Sequence, residues 1–174
     1  WRETGVKRVV VTGVGAITPL GIGAEAYWDG LVSGRSGIRY IEHFDTSELE
    51  VKIGGEVRGF SARDFMDFKS AKRMDRFAQF AVAASREAID QAGLEITDAN
   101  RERIGVVVNT GGGGIPAIEH EVTNMVKKGP KAVHPLLIPV FAPNMASCQV
   151  SMAFGIHGPS VTSVAACAAG VQAF

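Results

Sequence analysis

Apolar residues crowd the start of the chain. From Val6 to Thr12 the run is mostly valine, with Lys7 and Arg8 near its mouth, until Gly13-Val14-Gly15 turns it. A run without polar alternation predicts a parallel strand buried on both faces. A helix is expected from Ala24 to Ser33, closed by Gly34, and the segment from Gly37 to Gly59 reads as a long excursion with one short strand near Val51 to Ile53. The strongest period lies between Ser70 and Ala92. Met74, Phe77, Ala78, Ala81, Ala84, Ser85 and Ala88 recur at three- and four-residue spacing, and Gly93 supplies a stop, which predicts one long helix.

Ile104 to Asn109 repeats the all-apolar strand signature. Strand, helix, strand in that order predicts an α/β fold, a mostly parallel sheet with covering helices. The glycine run Gly111 to Gly114 opens a helix expected from Pro116 to Lys128. Pro130 to Pro143 is punctuated by proline and reads as a loop, apolar enough to lie against something. Asn144 to Phe154 should be helical, and His157-Gly158-Pro159 turns the chain into a strand that leads to Cys167. The helix opened by Cys167 has run about two turns when the sequence reaches Phe174. It has no strand to return to, so part of the fold is expected to lie outside this sequence.

Composition narrows the function classes. In 174 residues, 46% hydrophobic content and 21 glycines suit one α/β domain with tight turns. Eighteen basic and eighteen acidic side chains cancel, leaving no bulk charge for nucleic acid or a membrane surface. Cys148 and Cys167 are too far apart for metal-ligand spacing and too few for a disulfide framework, so no metal is expected and a reducing cytoplasm is the expected setting. The apolar runs are too short to span a bilayer, and Trp1 to Gly5 lacks the apolar core of a signal peptide.

Two glycine motifs invite a nucleotide reading and fail it. Val11 to Thr18 opens like a dinucleotide fingerprint, but Thr18 holds the third glycine position and no acidic residue closes a second strand. A tight strand-exit turn accounts for it. Gly111 to Gly114 lacks the Lys-Ser/Thr pair of a P-loop, which leaves close packing or a pocket wall without side chains. The basic residues Lys69, Lys72, Arg73 and Arg76, interspersed with Asp64, Asp67 and Asp75, read by default as a solvated face. With Lys127, Lys128 and Lys131 they are also able to receive an acidic partner.

Cys167 is the candidate for covalent chemistry. The β-branched run Val161 to Val164 gives way abruptly to Ala165-Ala166-Cys167-Ala168-Ala169-Gly170. If the turn falls at Ala166, the sulfur stands at the first turn of a helix, where unpaired N–H groups favour thiolate and can also cradle an oxyanion. A lone cysteine often serves as a small hydrophobe, and Cys148, in an apolar helical segment, reads that way. His43, His120, His134 and His157 show no spacing that makes any of them the base for Cys167.

These pieces together resemble the N-terminal half of a β-ketoacyl-acyl-carrier-protein synthase of the elongating type, on a thiolase-like layered α/β/α fold. The segments that carry the resemblance are Val9 to Gly15 with Thr18-Pro19-Leu20-Gly21, Lys72 to Phe77, Arg103 to Val106, Asn144-Met145-Ala146, Gly158 to Val161 and Ala166-Cys167-Ala168. They run in order over nearly the whole chain, so residues 1–174 are expected to form an incomplete N-terminal ketoacyl synthase domain.

The resemblance implies that Cys167 takes an acyl chain as a thioester, then yields it to a carbanion formed by decarboxylation of malonyl-carrier protein. Two histidines and a lysine assist from the C-terminal half of such enzymes, so condensation by this chain alone is not expected. Gly112 and Leu137 correspond to residues at the far end of the acyl pocket. Lys69, Lys72, Arg73 and Lys131 correspond to the basic surface that receives the acidic acyl-carrier protein. A homodimer is implied, the strand before Cys167 meeting its mate across the two-fold axis, and no metal or organic cofactor beyond the carrier's phosphopantetheine. Two departures stand out: Ala165 replaces a hydroxyl-bearing residue, and Cys148 stands where glycine is common. Alternatives are a polyketide-type ketosynthase, a non-catalytic partner subunit resembling a chain-length factor, and a fragment without activity; such factors lose the nucleophile that this chain keeps.

Overall fold

The computed structural model describes residues 8–174. The reading of Trp1 to Gly5, and the Val6-Lys7 start of the first strand, lie outside the described residues.

The architecture is set by one helix pair and one parallel ladder. The expected single helix divides into α2 (Phe68–Lys72) and α3 (Arg76–Ala92). Two aspartates cause the break. Asp67 caps α2 by accepting the Lys69 and Ser70 N–H groups, and Asp75 caps α3 by accepting that of Arg76. Gln79 Nε2 bridges the gap, donating to the carbonyls of Ala71 (2.9 Å) and Met74 (3.2 Å). Gly93, in the left-handed region at φ 59°, ends α3 as the sequence predicts.

Helix α3 packs against α6 (Met145–Phe154). Met74, Ala78, Val82, Val150 and Ile156 form the core with Val106 of strand β5 (Val106–Val107). That strand pairs in parallel with β6 (Ser160–Val161). The ladder continues beyond them, Val108 N–H donating to the Val161 carbonyl (3.2 Å) and Thr110 N–H to that of Ser163 (3.1 Å).

The smaller elements lie around this core. Strands β1 (Ile17–Thr18) and β2 (Gly21–Ile22) form an antiparallel hairpin ahead of α1 (Ala24–Val32), and β3 (Arg39–Tyr40) pairs antiparallel with β4 (Ile53–Gly54). Helix α4 spans Ile115–Lys128, and the proline-rich segment holds a helix that the sequence pattern does not predict, α5 (Leu137–Phe141). Pro139 is tolerated there because the first turn of a helix uses no intrahelical N–H. No helix among the described residues is long and apolar enough to cross a membrane.

The first expected strand does not form within the described residues. Val9, Val10 and Val11 are 91%, 57% and 72% exposed, and no strand pairs with them there. An apolar run becomes a buried strand only when neighbours take up its N–H and C=O groups, and none does so here. The following glycines are held instead. A Cβ on Gly13 would stand 2.0 Å from the Ala88 carbonyl oxygen, and one on Gly15 2.0 Å from that of Ala84. Their role is close approach to α3. Glu87 and Gln91 of α3 reinforce it, accepting N–H groups of Ala16 (2.9 Å) and Val14 (2.6 Å) respectively.

Candidate active site

Parallel pairing brings the chain to Cys167 in a defined posture. Thr110 and Val164 form the last bridge of the ladder, and Ala165 N–H donates to the Thr110 carbonyl at 3.3 Å. The next residue, Ala166, has φ 46°, the one positive value at a non-glycine among the described residues. Such a conformation costs an alanine about 1–2 kcal/mol. Strain of this kind is held only where surrounding contacts over-determine it.

The turn therefore falls at Ala166. Cys167 follows in a 3₁₀ turn, Ala166–Ala168, and not in the helix proper, since α7 (Ala169–Gln172) begins two residues later. Its thiol is exposed. The small-residue run is not packed along its whole length. Ala169 is buried at 7% exposure, while Ala166, Cys167, Ala168 and Gly170 face outward, leaving room beside the sulfur.

Asn109 supplies much of the over-determination. Its Oδ1 accepts the Ser163 N–H (2.7 Å) before the elbow, and its Nδ2 donates to the Ala169 carbonyl (3.2 Å) after it. Thr110 fixes the opposite side, its Oγ1 accepting the N–H groups of Gly112 (3.3 Å) and Gly113 (3.0 Å). The Ser147 and Thr162 hydroxyls meet at 2.8 Å and tie α6 to the strand entering the elbow. Asn109 and Ser147 were not singled out from the sequence.

The other candidate residues spread over two neighbouring regions. Gly112 lies in the turn beside the elbow, where a Cβ would stand 3.0 Å from Ile115 Cδ1, the mobile end of a side chain. Leu137 lines a cavity of about 420 Å³ with Lys72, Arg76, His120, His134 and Val140; Gly112 is not among its walls. Lys69, Lys72 and Arg73 are exposed on or just after α2, and Lys131 is exposed in the 3₁₀ turn Pro130–Ala132. Lys72 and Arg73 diverge, Lys72 toward that cavity and Arg73 toward a second one.

Among the described residues no histidine hydrogen-bonds to Cys167. His43 faces Glu56 (3.9 Å), His120 faces Glu121 (3.9 Å), and His134 donates its N–H to Glu121 (2.8 Å). Cys148 is half-buried, not core, and its sulfur accepts from Asn144 Nδ2 at 3.7 Å.

The sequence profile described as "Beta-ketoacyl synthase, N-terminal domain" matches residues 6–174. The chain belongs to that family. A ketoacyl synthase relative from Synechocystis sp., named 3-oxoacyl-[acyl-carrier-protein] synthase 2, is 48% identical over 96% of this chain and 40% of its own length. One of the same name from Staphylococcus aureus is 41% identical over 95% of this chain and 40% of its own length. Among solved structures, the ishigamide ketosynthase/chain length factor superposes with a TM-score of 0.80 at 33% identity, over 90% of this chain and 39% of that one. A beta-ketoacyl synthase from Burkholderia phymatum shares the fold with a TM-score of 0.76 at 24% identity, over 96% of this chain and 41% of that one. The fold is thiolase-like, and the chain spans about 40% of the length of the curated relatives it matches.

Proposed function

We propose that the whole protein is a 3-oxoacyl-[acyl-carrier-protein] synthase of fatty-acid biosynthesis and that Cys167 is its acyl acceptor. The observation that carries this reading is the strained elbow at Ala166, which presents an exposed thiol at the end of a parallel ladder. The thiolate attacks the thioester carbonyl of an acyl group on the carrier's phosphopantetheine. The carrier's sulfur leaves as thiolate and takes up a proton, and the acyl group stays on the Cys167 sulfur. Decarboxylation of malonyl-carrier protein then supplies a carbanion, which attacks the acyl-enzyme carbonyl, expels Cys167 as thiolate and leaves a 3-oxoacyl chain on the carrier.

On this reading residues 1–174 are the N-terminal part of the synthase domain, and the groups that assist decarboxylation come from outside this chain. Gly112 and Leu137 bound the acyl pocket. Lys69, Lys72, Arg73 and Lys131 receive the acidic carrier; their exposure suits them to it, and several weak exposed pairs together steer such an encounter. The working protein is a cytoplasmic homodimer that uses no metal or organic cofactor of its own. Val161, 51% exposed on the open side of β6, suits the expected strand contact between protomers.

The reading is tested by mapping the thioester. Incubating the full-length protein with acyl-carrier protein and digesting it should place the acyl mass on the Cys167 peptide, absent in Cys167→Ser and retained in Cys148→Ser. Acylation that survives Cys167→Ser refutes it. A polyketide-type ketosynthase is the second reading, favoured by the 33% identity to the ishigamide ketosynthase/chain length factor. Turnover with a polyketide carrier protein and none with a fatty-acid carrier would select it.

A further inference from the structure

The second cavity, about 320 Å³, lies between α2, α3 and α6. Its walls include Arg73, Arg86 and Gln149, with Met66, Met74 and Met152 as apolar flank. Gln149 is only 9% exposed, yet its carboxamide has no hydrogen-bond partner among the described residues. The amide is therefore open to the cavity, where a ligand or water takes its hydrogen bonds.

Neither guanidinium is in an ion pair among the described residues. Arg86 is aimed by its Nε, which donates to the Phe65 carbonyl (3.1 Å), and by the Phe154 ring 5.1 Å beneath it. No carboxylate lies within ion-pair distance of Arg86 or Arg73 among the described residues. Asp67 also lines the cavity, but its oxygens are engaged elsewhere. Oδ1 accepts the N–H groups of Lys69 (2.9 Å) and Ser70 (3.0 Å), and Oδ2 accepts the Ser70 hydroxyl (2.5 Å). The Ser70 hydroxyl, with its amide, holds the Asp67 carboxyl below the ordinary range, so it is ionised and repels a second negative charge.

We propose that this cavity binds a small carboxylate carried on a short apolar stem. The planar carboxylate matches the guanidinium fork, Gln149 Nε2 supplies a further donor, and the methionine side chains take the stem. A monoanion suits the cavity better than a dianionic phosphate, which meets the Asp67 charge at greater cost. The volume is at the small end of ligand pockets, which matches a stem of a few carbons. Arg73 also belongs to the proposed carrier-docking face. On that reading, and only on it, a bound carboxylate competes with the carrier for this side chain.

Titrating the full-length protein with sodium hexanoate at low ionic strength, by calorimetry, should give saturable binding, with none for hexanol and weaker binding for inorganic phosphate. Arg86→Gln, Gln149→Leu and Arg73→Gln should each weaken hexanoate about tenfold. Arg73 makes no hydrogen bond through its side chain among the described residues, so its variant keeps the test open if the Arg86 variant fails to fold. No saturable hexanoate binding, binding unchanged in Gln149→Leu and Arg73→Gln, or tighter binding of phosphate would each overturn the proposal. Loss of hexanoate binding in the variants is read without the carrier, so failure of the docking reading leaves this result standing. If hexanoate does not bind while Arg86→Gln slows acyl loading of Cys167 from the carrier, the occupant is an acidic side chain of the partner, and the proposal falls.

Discussion

Asn109 reaches across the elbow to backbone groups 54 and 60 residues away, one on each side of Cys167. Removing it leaves Ala166 in its strained conformation with one clamp fewer, so the sulfur should wander. On the proposed reading, Asn109→Ala in the full-length protein is expected to slow acylation of Cys167 by about ten- to a hundredfold, because displacements near 1 Å cost that much. KM for the acyl carrier should hardly change. A lowered melting temperature with wild-type acylation would reduce Asn109 to a purely structural role. Cys167 was legible in sequence because the switch from β-branched to small residues is local. Asn109 was not, since its partners are main-chain groups that any sequence supplies. The neighbouring glycines divide in a way the sequence also hides. Gly113 has φ 73°, and a Cβ on Gly114 would stand 2.7 Å from Asp75 Oδ2, so both positions demand glycine. Gly112 is free of either constraint. Gly112→Ile should therefore fold, and on the proposed reading it should cut activity on long primers far more than on short ones, each excluded methylene being worth about 0.8 kcal/mol. Equal losses at every chain length would argue against a pocket wall at Gly112.

Asp75 acts between elements. One oxygen caps α3 at Arg76, and the other accepts the Ala117 N–H (3.2 Å) in the first turn of α4, whose own N-cap, Gly114, offers no side chain. A single carboxylate thus fixes the start of α3 against the start of α4, and with it the glycine turn beside the elbow. Each cap is worth about 0.5–2 kcal/mol, so Asp75→Ala should destabilise the protein by about 1–4 kcal/mol. Hydrogen exchange should quicken at the amides of Arg76 and Ala117 together. Faster exchange at Arg76 alone would show that the link to α4 carries no weight. Periodicity could not reveal the break between α2 and α3, because Met74 and Ala78 lie on one apolar stripe and both enter the core. The capping aspartates were visible in the sequence, but an Asp inside a charged cluster reads equally as a solvated face. Glycine stops were easier, since Gly34 and Gly93 both take the positive φ that ends a helix.

For the whole molecule, the decisive quantity is how much apolar surface the fold leaves open. Val106 is buried in the core, and Phe154 packs half-buried against it. Val107 and Val164 stay open, at 49% and 56% exposure, and Val9 to Val11 with Val161 and Val171 extend the open surface. Among the described residues the ladder has two strands, so each has an unpaired edge. Open strand edges beside exposed valines are templates for association. The α/β class was legible from apolar runs and helical period, but the fate of the first valine run was not, because a run's composition does not say whether a partner strand is present. Expressed by itself, this 174-residue chain is therefore expected to aggregate or to bind a hydrophobic dye strongly. On the proposed reading, supplying the remainder of the synthase, in the same chain or as a separate one, should suppress the dye signal and bring condensation with malonyl-carrier protein. A monodisperse chain that melts cooperatively, leaves the dye dark and condenses acyl groups unaided would mean that the exposed valines are tolerated as they stand and that the assisting chemistry lies within these residues.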